Sequence, residues 1–92
     1  MNVKEQSFNA PRAVATTVSV STSTAQSAAL PAGDYVFVCS QACNVLAGAN
    51  PTATTSCMFI PANTMVRICG IQDNEKLAVI AAASGTAWLQ AI

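Results

Sequence analysis

Leu30-Pro31-Ala32-Gly33-Asp34-Tyr35-Val36-Phe37-Val38-Cys39-Ser40 decides the fold of this chain, because the chain nearly repeats it as Ile60-Pro61-Ala62-Asn63-Thr64-Met65-Val66-Arg67-Ile68-Cys69-Gly70. Pro, Ala, Val and Cys recur at the same offsets, and Leu/Ile, Gly/Asn and Val/Ile are close physical substitutes. Each copy reads as a turn feeding a strand. Proline fixes φ near −65°, and Gly or Asn then takes positive φ at low cost. The alternation that follows suits a half-buried sheet. The repeat speaks to architecture and is silent on chemistry.

Working outward, Val14, Thr16, Val18 and Val20 alternate with Ala15, Thr17, Ser19 and Ser21, which predicts a strand over 14–24. Ala25 to Ala29 leads into the first Pro-Ala turn. Further strands are predicted over 34–40, 44–47, 56–60, 64–71, 76–83 and 86–92. Gly48-Ala49-Asn50-Pro51 and Gln72-Asp73-Asn74-Glu75 are turn signals, and the last two strands form a hairpin across Ser84-Gly85. Ala81-Ala82-Ala83 has helical propensity, but its β surroundings favour a strand. The expected fold is all-β: a small sandwich or barrel of six to seven short antiparallel strands. Alternation places Val36, Val38, Val66 and Ile68 in the core, with Leu77 or Ile80 and Leu89. It places Tyr35, Phe37, Met65 and Arg67 on the outward face.

The 92 residues make one domain, able to fold alone with modest stability. Residues 1–13 form an extended N-terminal arm with no period of either kind, and 14–92 a single β domain. An arm without a core of its own is held by something else, which points to a neighbouring subunit. Hydrophobic residues are 52% of the chain and charged residues 9%, with zero net charge. Ordinary soluble domains carry about 25% charge. Between Tyr35 and Val66 there is no Asp, Glu, Lys or Arg. Such a surface repels its own copies poorly and has the composition of an interface that partners cover. Tyr35, Phe37, Met65 and Arg67 are the interface candidates, with Trp88 and the arm residues Pro11 and Arg12. The alternative reading covers both faces within one small sandwich.

Several function classes lose their basis. Lys4, Arg12, Arg67 and Lys76 are scattered and balanced by four acids, so no phosphate-binding face is expected. The apolar run Leu77–Ala83 is far below the ~20 residues of a membrane-spanning helix. Residues 1–20 lack the apolar core of a secretory signal, so folding in a reducing cytoplasm is expected. The chain has no His, which removes the commonest general base and metal ligand and every Ser-His-Asp or Cys-His arrangement.

Four cysteines remain: Cys39, Cys43, Cys57 and Cys69. Their single close pair does not make the two tight knuckles of a zinc ribbon. Cys39 and Cys69 occupy equivalent strand positions and would pair if their strands were neighbours in an oxidising setting. The expectation is four reduced thiols serving as small apolar residues, with no cofactor and no metal. Asp34 and Asp73 sit at turns entering strands, where they are expected to bond backbone N–H groups. Trp88, beside Leu89, reads as core or interface rather than as a stacking platform.

The segment 29–92 resembles small virion proteins of tailed bacteriophages. The resemblance lies in the order of Leu30–Val38, Ile60–Ile68, Asp73–Ile80 and Ser84–Thr86: a Leu-Pro-Ala-Gly turn into a Tyr/Val strand, a Pro-Ala turn into a Val-Arg-Ile strand, an Asp…Lys-Leu-Ala-Val-Ile strand and a Ser-Gly-Thr hairpin. It covers about two thirds of the chain and leaves 41–55 unmatched. It implies a non-enzymatic structural subunit, such as a capsid decoration or cement protein, located in the virion. Its partners would be the major capsid protein, other virion subunits and its own copies, without nucleic acid or membrane. The competing expectation is a fibre or spike module binding surface glycan, for which Tyr35 and Trp88 are the aromatic candidates.

Overall fold

A computed structural model describes residues 15–92, and the expected arm lies outside them. The chain runs β1 (Thr16–Val20), β2 (Ala25–Gln26), β3 (Gly33–Cys39), β4 (Cys43–Gly48), β5 (Met58–Ile60), β6 (Val66–Ile71), β7 (Lys76–Ala81) and β8 (Gly85–Ala91). There is no helix among the described residues. Two four-stranded antiparallel sheets form, in the orders β1-β8-β3-β6 and β2-β7-β4-β5. We call them the first and second sheet. The eighth strand, beyond the expected six to seven, is the two-residue β2, which pairs with Ala78 and Val79 of β7.

Both Pro-Ala turns use the conformations their sequences favour. Gly33 has φ 147° and Asn63 φ 57°. The N–H of Asn63 donates to the carbonyl of Cys39 at 2.8 Å, so the second turn closes against the end of the first copy's strand. Apart from β4 and β5, which share the second sheet, consecutive strands lie in different sheets. Ser84-Gly85 is therefore an arch from one sheet to the other, and the expected β7–β8 hairpin is absent. Ser40 fixes this arch: its N–H donates to the Thr86 carbonyl and its Oγ accepts the Thr86 N–H, each at 3.0 Å. A side chain on Gly85 would collide with Ser40 and Gln41.

The core lies between the sheets. The first sheet contributes Val18, Val20, Tyr35, Phe37, Cys39, Ile71, Ala87 and Leu89, and the second Cys43, Val45, Ile60, Leu77, Val79 and Ala81. This corrects the assignment of faces on β3. Phe37 is 0% exposed and Tyr35 is buried, while Val36 and Val38 face outward and are half-covered. The cause is register. Across β3 and β6, Phe37 stands opposite Val66, Tyr35 opposite Ile68, and Val36 opposite Arg67. Equal offsets in the two copies thus lie on opposite faces, because a one-residue shift turns every side chain over. An irregularity between Gly33 and Tyr35 lets β3 enter with that shift. On β6 the expectation holds, with Val66 and Ile68 packed against the core. Ile80 is half-buried on the outer face of β7, and Leu77 is the core residue of that pair.

The buried Tyr35 hydroxyl donates to the Pro31 carbonyl at 2.6 Å, so the turn that precedes β3 satisfies its polar tip. Burial pushes its phenol upward in pKa. Segment 49–57, much of it within the unmatched stretch 41–55, closes over the outer face of the second sheet. Pro51 and Ala53 are buried there. Gln26 Nε2 donates to the Pro51 carbonyl at 2.7 Å, and Asn44 Nδ2 to the Cys57 carbonyl at 2.9 Å.

Candidate functional site

The space between the sheets is shut on one side and open on the other. On the β1/β2 side, the link 21–24 passes directly from sheet to sheet, and the Ser21 carbonyl accepts the Ala81 N–H at 2.8 Å. Nearby Ser27 is buried; its Oγ accepts the Leu77 N–H at 3.0 Å and donates to the Ala28 carbonyl at 2.8 Å. On the opposite side, β5 and β6 are the outermost strands of their sheets and do not pair with each other. The 61–65 turn joins them at one end. Beyond it they diverge and leave an apolar cleft of about 420 Å³.

Val45, Met58 and Ile60 line the cleft from the second sheet, and Val66 and Ile68 from the first. By register Met58 lies opposite the buried Val45, on the inner face. It is nevertheless 73% exposed, because no facing strand covers it. Phe59, 57% exposed, and Leu46 add apolar surface at the rim, and the exposed Met65 precedes the lining residue Val66 in the chain. β6 itself offers six residues of edge with no proline and a single charge, Arg67. An unpaired edge is a template for another strand, and here the irregularity opposite Gly33–Tyr35 leaves Val66–Ile68 as its regular part.

Several sequence candidates meet at this edge, and others do not. Met65 and Arg67 are exposed beside the cleft, while Tyr35 and Phe37 are interior and are not surface groups. Trp88 is exposed on the outer face of the first sheet, between Thr17 and Val38 on the flanking strands. Pro11 and Arg12 lie outside the described residues. Arg67 pairs with Asp34 of the same chain at 3.6 Å, both groups well exposed. Such a pair is worth about 0–1 kcal/mol. The other Asp34 oxygen accepts the Gly70 N–H at 3.0 Å, tying β3 to β6. In the 72–75 turn, Glu75 rather than Asp73 does this work, accepting the Gln72 N–H at 2.7 Å.

Register also settles the cysteine geometry. Cys39 is buried on the inner face of β3, while Cys69 is exposed on β6 at the far end of the ladder, so these two thiols do not meet. Cys39 and Cys43 are instead neighbours in the core. Burial, then the proximity of Cys39, pushes the Cys43 thiol up to about 12. Cys57 is half-buried and accepts the Thr54 N–H at 3.4 Å. No group of three or more Cys, Asp or Glu able to hold a metal comes together among the described residues.

Leu46, Met58 and Phe59 were missed as surface candidates. For Met58 and Phe59 the signal is the run Met58-Phe59-Ile60, apolar on both faces of one short strand, where a strand with one wet face would alternate. Chemically, the site is a concave, nearly uncharged apolar surface beside free backbone groups, which suits docking of a chain segment. No family model matches this chain, and neither a curated protein nor a solved structure is similar to it. Fold and site together define an all-β domain whose most distinctive surface is an open sheet edge.

Proposed function

We propose that the protein is a structural subunit of a tailed-bacteriophage virion that binds the capsid lattice as a decoration or cement protein. The observation that carries the reading is the uncovered apolar cleft at the β5/β6 edge of a domain with 9% charge. An exposed apolar concavity of this kind marks an interaction site. The order of turn and strand motifs in 29–92, read as resembling small virion proteins, supports a virion as the assembly. The mechanism is thermodynamic: a subunit that binds only the assembled shell stabilises that state by mass action, and many weak sites add through avidity. The glycan-binding reading has less support, because burial of Tyr35 leaves Trp88 as its single aromatic candidate.

Incubation with assembled capsids and with dissociated capsid protein tests the reading. Saturable binding to the assembled shells, with a raised capsid melting temperature, is expected. Binding to host-cell glycan without binding to capsids contradicts it.

A further inference from the structure

The cleft is concave, so a second cleft does not fill it; an extended segment with a large apolar side chain does. Fourteen residues precede the described fold: Met1-Asn2-Val3-Lys4-Glu5-Gln6-Ser7-Phe8-Asn9-Ala10-Pro11-Arg12-Ala13-Val14. Gln6 to Pro11 carry no charge and centre on Phe8. The cleft matches them: its one charged lining residue, Arg67, is already paired with Asp34. The edge of β6 supplies backbone groups for pairing, and Pro11, which lacks an N–H, marks where pairing stops.

The geometry favours a segment from another molecule. Thr16, Leu89, Phe37 and Val66 form one row across the first sheet, so the chain leaves β1 three strand spacings from the cleft, about 14 Å. To reach its own cleft, the segment must recross that sheet and reverse around β6. At about 3.3 Å per residue the crossing takes roughly four or five residues and the reversal roughly three more. Phe8 then falls in the reversal, and the charged Lys4 and Glu5 arrive at the apolar walls. A second copy's segment spends no residues on the crossing and presents Gln6–Pro11 directly.

We infer that residues 1–14 of one copy dock in the β5/β6 cleft of a second copy, with Phe8 between Met58 and Ile68 and the backbone added beside β6. This deepens the reading of the chain as an assembling subunit and rests on it.

The test uses the full chain with a photoreactive benzophenone side chain at position 8, in an equal mixture of isotope-labelled and unlabelled protein. Cross-links joining labelled to unlabelled copies, and landing within 58–68, are expected. Phe8→Asp and Met58→Asp are each expected to weaken self-association by about thirtyfold, as loss of a central anchor does. Mixing these two variants is expected to recover part of it, because one intact segment meets one intact cleft. Met58 is so exposed that its substitution leaves the fold intact, checked by an unchanged melting temperature. Cross-links confined within one copy, a Phe8→Asp variant that associates normally, or no self-association at any concentration overturns the inference. Capsid binding is measured on the same variants: failure of segment exchange with retained capsid binding overturns this inference alone, whereas lost capsid binding in every form, the unaltered chain included, overturns the function.

Discussion

The two sides of this molecule are built from similar residues and end differently. On the β1/β2 side, Val18, Val20 and Leu30 are buried, and Ser27 threads two hydrogen bonds through the closure. On the β5/β6 side, Met58 occupies an inner-face position yet stands mostly in solvent. The difference lies in how the chain crosses between sheets. The four-residue link 21–24 pulls β1 and β2 together, and segment 49–57 is bonded to Thr24 and Gln26 behind it. The 61–65 turn pins β5 to β6 at one end only, and β5 is three residues long, too short to cover β6. One side stores folding stability. The other leaves apolar area free for binding.

Substitutions sharpen that contrast, beginning with the interior that both sides share. Phe37→Ala is expected to cost about 3–5 kcal/mol of folding stability, measured by urea unfolding. Unchanged stability with lost particle binding would return Phe37 to the surface. On the closed side, Ser27→Ala leaves the Leu77 N–H without its acceptor and is expected to cost about 1–3 kcal/mol. A neutral effect there would mean that the closed side is no tighter than the open one.

Alkaline pH probes the interior more gently. The Cys43 thiol, raised to about 12, and the raised Tyr35 phenol stay protonated in the fold while the unfolded chain ionises. The folded state then binds more protons, so stability falls as pH rises from about 9 toward 12. Cys43→Ala is expected to flatten part of that fall in chemical-denaturation curves taken across this range; an identical slope would remove Cys43 from the account. The smallest effect is expected on the open side. Phe59→Ser is predicted to change folding stability by less than about 0.5 kcal/mol. A loss of several kcal/mol would show that the rim is part of the core.

Much of the fold is legible in the sequence. The turns at Gly33 and Asn63, the short strand within 43–48 and a C-terminus tied into a sheet all follow from local chemistry. The faces of β3 do not. Asp-Tyr-Val-Phe-Val-Cys is apolar on both sides, so its period of two cannot say which side is inner; only the register with β6 does. Turn residues share this limit. Ser84-Gly85 marks a reversal, but whether the chain returns in its own sheet or arches to the other depends on partners far along the sequence. The cleft was illegible for the same reason. Burial of Met58 would require a facing strand, and its absence is a property of topology. Arg67 was placed correctly at the surface, while its partner Asp34, thirty-three residues away, became visible only through the β3–β6 pairing.

The account turns on the open side being covered when the protein works. Amide hydrogen exchange along β6, in the free protein and in the protein bound to assembled capsids, tests this most directly. The account predicts that the outward β6 amides, those bonded neither to β3 nor to Asp34, exchange readily in the dilute, unassociated protein and become protected in the assembled, capsid-bound protein, while the amides near Ser27 change little. Protection confined to the Trp88 face, with β6 exchanging as fast in the bound protein as in the free one, would contradict it.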